Sequence, residues 1–218
     1  MRKRVLVALF LLSAVAAKAQ KEGEKFLMFR GGCSVPVGNF GNTSPFEEGA
    51  GFAKTGAFAD ITIGQHAWKN LGALVGFRAR FNNLDVPAVA GLPKYNWYML
   101  NLSGGIYQPF DLTANGKFGF EFREQAGLQF THTSGSFNVR TPDGGTMQLS
   151  EFNGVSPSFT LGAGFTLQMS DMLSLKLLSD YTFSRAMFHL NNQSGGADIQ
   201  VRQNTASFDL GAGLALRL

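Results

Sequence analysis

The chain has 218 residues, 19 Lys and Arg against 15 Asp and Glu, 16% charged residues, 27 glycines and 21 phenylalanines. A single cysteine excludes an internal disulfide framework. The formal charge of +4 resides in Arg2, Lys3, Arg4 and Lys18; from residue 20 onward there are 15 charges of each sign, so no basic stripe points to nucleic acid.

Met1-Arg2-Lys3-Arg4 reads as the basic start of an export signal, Val5–Ala17 as its apolar stretch, and Ala17-Lys18-Ala19 as small residues at a cleavage site. The expected division is therefore a signal peptide over 1–19 and one domain over 20–218. The apolar stretch falls short of the roughly 20 residues of a spanning helix.

Beyond it the repeating signal is period two, the mark of strands with one apolar face. Taken in order, strands are expected near Phe26–Val35, Thr55–Gln65, Leu71–Phe81, Trp97–Tyr107, Lys117–Phe130, Ser158–Met169, Leu173–Phe183 and Ala206–Leu218. The last shows it most cleanly: Phe208, Leu210, Ala212, Leu214, Leu216 and Leu218 fall on one face, and Ser207, Asp209, Gly211, Gly213, Ala215 and Arg217 on the other. In Lys117–Phe130 the apolar face carries one acid, Glu124. The connections alternate long and short, with long ones at Pro36–Gly51, Asn82–Asn96, Thr131–Ser156 and Leu190–Thr205. Eight strands with that alternation predict an all-β fold, an eight-stranded antiparallel up-and-down transmembrane β-barrel, its N-terminus in the periplasm and its long loops outside.

A soluble exported ligand-binding β-barrel alternates too, with its apolar face inside. The polar face here is mostly Gly, Ser and Thr, too poorly charged for a water-facing exterior. The apolar face carries more Leu and Phe than eight strands enclose. Trp68, Trp97, Tyr98 and Tyr107, with Phe110, lie near strand ends and are expected as interface aromatics.

Ser34-Val35-Pro36-Val37-Gly38-Asn39-Phe40, the Gly/Ala-rich strand after it and Arg78-x-Arg80-x-Asn82 resemble the outer-membrane β-barrel domain family of Bacteroidota. The resemblance implies a small eight-stranded barrel, porin-like in fold, in a Gram-negative outer membrane. Its strands commonly end in a terminal aromatic read by the barrel-assembly machinery; here Leu218 takes that place.

Arg30, Asp60, Arg78, Arg80, Glu121, Arg123, Lys176, Asp180, Asp209 and Arg217 fall on the polar face and are expected to pair inside the lumen, since unpaired buried charge is strongly penalised. The catalytic candidate is His132 with Ser134, two apart on one face, and Glu151 as orienter. This His-x-Ser pair is similar to that of the outer-membrane lipid A deacylases, a lipid-modifying alternative. No metal site or cofactor is expected, because no His, Cys or carboxylate set has ligand spacing. The expected partners are outer-membrane lipid, the assembly machinery and a surface partner reached through loops 131–156 and 190–205. A structural or interaction role without catalysis is the leading expectation.

Overall fold

The computed structural model describes residues 23–44, 50–68, 70–84, 96–133, 137–140, 146–149, 152–190 and 199–218. Residues 1–22, and with them the expected signal peptide, lie outside these. The strands are β1 (Lys25–Val37), β2 (Gly56–Trp68), β3 (Leu71–Asn83), β4 (Asn96–Asp111), β5 (Phe118–Thr133), β6 (Phe137–Arg140), β7 (Thr146–Leu149), β8 (Phe152–Gln168), β9 (Leu173–Leu190), β10 (Ile199–Asn204) and β11 (Ala206–Arg217). A short 3-10 helix spans Gly38–Gly41.

Eight of these form the wall. Each pairs antiparallel with its neighbours in the order β9-β11-β1-β2-β3-β4-β5-β8, and a β8–β9 pairing closes the circle. Closure leaves no free edge within the wall, which is how an all-β structure avoids unpaired backbone groups. Directly paired residues run from His132 on β5 through Tyr98, Phe81, Ala57, Cys33, Leu210, Ser179 and Ala163, and return to β5 at Phe122. The stagger is thus ten residues around the barrel, which tilts the strands about 40° from its axis.

The alternation of the sequence becomes an inside-out burial pattern. In β3, Gly72, Leu74, Gly76, Arg78, Arg80 and Asn82 are buried, while Val75, Phe77 and Phe81 are exposed. The interior is mostly polar and the exterior apolar, opposite to a soluble barrel that holds a greasy ligand. Among the described residues, thirty large hydrophobic side chains are exposed.

Two of the expected loops contain more sheet than alternation predicted. Within Thr131–Ser156, β5 runs on to Thr133, β8 begins at Phe152, and β6 pairs with β7 as a separate hairpin. Within Leu190–Thr205, β9 runs on to Leu190 and pairs with β10, whose register continues that of β11. Pairing beyond the apolar belt needs only backbone hydrogen bonds, so it leaves no period-two apolar signal to read.

Candidate functional site: the charged lumen and its two caps

The lumen is layered. At the end carrying both described chain ends, His66, Tyr107 and Phe26 form a floor. The Tyr107 hydroxyl lies 3.2 Å from His66 Nδ1, and its ring meets Phe26 edge-on at 5.4 Å. Gly72 makes room for this ring, since a Cβ there would sit 2.1 Å from it. Above the floor, Lys176 donates to Glu121 at 2.5 Å and lies 4.7 Å over the Phe26 ring. Arg123 is 3.3 Å from Glu121 and 3.9 Å from Asp180.

The middle layer sets three arginines against three aspartates. Arg30 donates to Asp60 and to Asp180. Arg78 splits its fork, donating to Asp180 with one nitrogen and to Asp209 with another at 2.8 Å, while its Nε reaches Asp60 at 3.2 Å. Arg80 donates to Asp209 at 2.7 Å and to the Thr182 hydroxyl at 2.5 Å. All six side chains are almost fully buried. Asp180 and Asp209 are directly opposite each other on β9 and β11. Like charges so placed repel, and the Arg78 guanidinium, reaching from β3, turns that repulsion into a bridge. Glycine permits it: a Cβ on Gly162 would fall 2.1 Å from Asp180 Oδ1 and 2.8 Å from Arg123 Cγ.

Hydroxyls and amides fill the next layer. Gln129 donates to Thr205 at 2.7 Å, Ser156 and Ser184 share a hydrogen bond, and Asn101 donates to Ser158. The mouth is then closed by aromatics. Phe40, in the Gly38–Gly41 turn, is fully buried and packs edge-on to Trp97 at 5.5 Å. Trp97 Nε1 donates to the Gly51 carbonyl at 2.9 Å. Phe52 takes φ +51°, uncommon for a bulky residue, and its N–H donates to the Asn42 carbonyl at 2.9 Å. The Ser34–Phe40 segment therefore ends in the residue that caps the barrel.

Nine of the expected lumen residues come together in these layers. Arg217 does not. It is the last residue of β11, reaches the rim and pairs there with Glu24, which alternation does not reveal because it precedes the first strand. Two of the expected interface aromatics are corrected as well. Trp97 and Tyr107 point inward, 4% and 2% exposed, and serve as cap and floor. Trp68 is 70% exposed at the end of β2, and Tyr98 faces outward against Phe81.

His132 faces outward at the loop end, its Nδ1 2.8 Å from Asn153 Oδ1 and its ring beside Tyr98. Ser134 and Glu151 lie outside the described residues. Among the described residues no three His, Cys, Asp or Glu side chains gather as metal ligands, and no helix is long and apolar enough to cross a membrane, which says nothing of strands.

No protein-family profile matches the chain, and no curated protein matches it. Solved structures of outer-membrane proteins share its fold at low identity. Neisserial surface protein A has a TM-score of 0.58 at 12% identity, with 90% of this chain and 100% of that one covered. The outer membrane protein OprG from Pseudomonas aeruginosa has a TM-score of 0.53 at 12% identity, with 91% and 99% covered. At that identity the likeness is one of architecture: this chain has the closed eight-stranded antiparallel barrel of small outer-membrane proteins.

Proposed function

We propose that this chain is a small, closed outer-membrane protein of a Gram-negative bacterium, acting through what its loop end contacts and not through conduction or catalysis. The observation that carries this is the inside-out barrel: an exterior belt of Phe, Leu, Ile and Val around a buried ion-pair core. Such a belt is expelled from water and matched by hydrocarbon, and the charges inside are tolerated only because they are paired. Export by a 1–19 leader brings such a chain to that membrane, and the Ser34–Phe40 segment favours the Bacteroidota family as its setting.

In this reading the end with the described termini is periplasmic and the long connections are outside. Arg185 and Arg202 then sit at the outer rim. They are exposed, on the outward face of paired β9 and β10, and two register positions apart. Neither makes an ion pair with a described residue. Two guanidiniums just above an apolar belt suit the phosphates of an outer-leaflet glycolipid.

Membrane fractionation with heat-modifiable electrophoretic mobility tests the reading. The protein is expected in the outer membrane, running faster when unheated. Recovery from the soluble periplasm with unchanged mobility overturns the membrane assignment. Planar-bilayer recordings are expected to show no open pore, and a steady conductance overturns the closed lumen.

A further inference from the structure

Glu124 is an acid on the wrong side of the wall. Along β5 the outward residues are Phe118, Phe120 and Phe122 on one side of it and Ala126, Leu128 and Phe130 on the other, so it lies at the middle of the apolar belt. It is exposed, with Ile106 on β4 and Leu161 on β8 as direct neighbours. It forms no hydrogen bond or ion pair with any described residue. The outward-facing Lys and Arg of the wall and its extension, Lys25, Arg185 and Arg202, are far along their strands from this level. An ionisable group left in hydrocarbon without a partner is costly, and the usual reason for keeping one is that something meets it.

Two strands away, across β8, lies Ser179, a hydroxyl on the outward face of β9. Around Ser179 the wall is indented. A groove of about 460 Å3 is floored by Ala163 and Ser179 and walled by Phe120, Phe165, Leu177 and Leu210. Ser179, Ala163 and Phe122 share one hydrogen-bonded row. With strands about 4.8 Å apart and tilted about 40°, that row descends by about 6 Å from Ser179 to Phe122. Two residues up β5, at about 3.3 Å each along the same tilt, recover about 5 Å. Glu124 and Ser179 therefore stand at nearly the same depth, on either side of β8, whose outward residue between them and the groove is the small Ala163.

We propose that this face binds a second copy of the chain about a two-fold axis parallel to the membrane normal, with Glu124 of each copy accepting a hydrogen bond from the Ser179 hydroxyl of the other. The inference rests on the reading of the apolar belt as lipid-facing. A two-fold axis along the normal preserves depth, so only groups at equal depth on opposite sides of the axis meet. Glu124 and Ser179 satisfy that with the axis passing through β8. The contact is isologous, so both hydrogen bonds form at once. Ala163 lets the two walls approach, as small residues do between membrane segments. A lipid chain fills the groove but offers Glu124 no donor at that depth, whereas Ser179 of a second copy does.

The test uses full-length protein in native outer membranes with Cys33→Ala as background, since Cys33 is itself exposed. Glu124→Cys and Ser179→Cys are made singly in two differently tagged chains and together in one. Mild oxidation is expected to give a covalent dimer for the double variant and a mixed-tag dimer when the two single variants are co-expressed. Either single variant alone is expected to stay monomeric, because like positions face away from each other across the axis. Glu124→Leu, which gives the lipid-facing wall an ordinary residue, is expected to lower the dimer fraction, read by chemical cross-linking, at least tenfold with heat-modifiable mobility intact. A barrel that shows the mobility shift but forms no disulfide between positions 124 and 179, or whose single variants cross-link as readily as the pair, overturns the dimer. So does an undiminished dimer in Glu124→Leu. A protein without the mobility shift overturns the membrane reading instead, and the dimer with it.

Discussion

Asp180 and Glu124 stand at similar depths in the barrel, two strands apart, one inside the wall and one outside. Asp180 is fully buried and touches the guanidiniums of Arg30 and Arg78, with Arg123 at 3.9 Å. Glu124 touches none. The strand pleat makes the difference, because neighbouring residues point to opposite faces and a shift of one position exchanges lumen for lipid. Inside a narrow barrel, facing strands are close enough for an arginine on β3 to reach an aspartate on β9. Outside, the wall curves away and a side chain reaches only its neighbours on adjacent strands, which for Glu124 are Ile106 and Leu161, so its polar partner must come from another molecule. A charge on the inner face is therefore a matter of folding, and one on the outer face a matter of association.

The most forceful way to break this comparison is to neutralise Asp180. Asp180→Asn keeps the shape but withdraws the negative charge shared by Arg30 and Arg78, leaving buried cations short of a counter-charge. Breaking a buried pair from one side costs about 3–5 kcal/mol. Urea unfolding in lipid vesicles, followed by tryptophan fluorescence, should show a loss of that size. A change of under about 1 kcal/mol, no more than an exposed pair is worth, shows that the three-against-three layer is not what holds the strands in register.

Trp97 sharpens the same point at the mouth. Its burial is as complete as that of the arginines, but its partners are Phe40 and the Gly51 carbonyl. Trp97→Ala should cost about 3 kcal/mol by the same urea assay, read by circular dichroism. A near-neutral result would mean that the Gly38–Gly41 turn closes the mouth without it. Gly162 comes next. Gly162→Ala places a methyl against Asp180 and Arg123, and overpacking of that kind costs about 1–3 kcal/mol. Unchanged stability would show that the middle layer has slack the geometry does not suggest.

The wall was legible in the sequence, and its contents only in part. Alternation assigns Arg78 and Arg80 to the lumen because Val75 and Phe77 fix which parity faces out. It does not say that Asp209 stands opposite Asp180, because that follows from the register of β11 against β9, nor that Arg78 on β3 reaches both, because that follows from the ten-residue stagger, which is set by eight registers together. Trp97 and Tyr107 were misplaced for a different reason. Nearness to a strand end suggests a membrane interface, yet both share the parity of Asn101 and Ser103, and that parity points inward. The signal was present in β4 and a general rule about aromatics displaced it. Phe40 was out of reach, since alternation stops at Val37 and the 3-10 turn that folds it over the mouth has no period to detect.

Glu124 yields the smallest effect and the one of opposite sign. Its removal deletes no described contact, so a single barrel should gain from it. Glu124→Leu replaces an acid in the middle of the belt with a residue that matches hydrocarbon, and a charged side chain on the lipid face there costs up to about 2–4 kcal/mol for Arg or Lys and less for an acid. A gain of about 1–2 kcal/mol is expected when the barrel is unfolded at lipid dilutions where copies do not meet. At high protein-to-lipid ratio the gain should shrink or reverse, because the wild type then recovers through the contact what the acid costs. Stability that responds to protein density for wild type but not for Glu124→Leu separates association from simple mismatch. The same gain at every density means that the acid has no partner in its own kind.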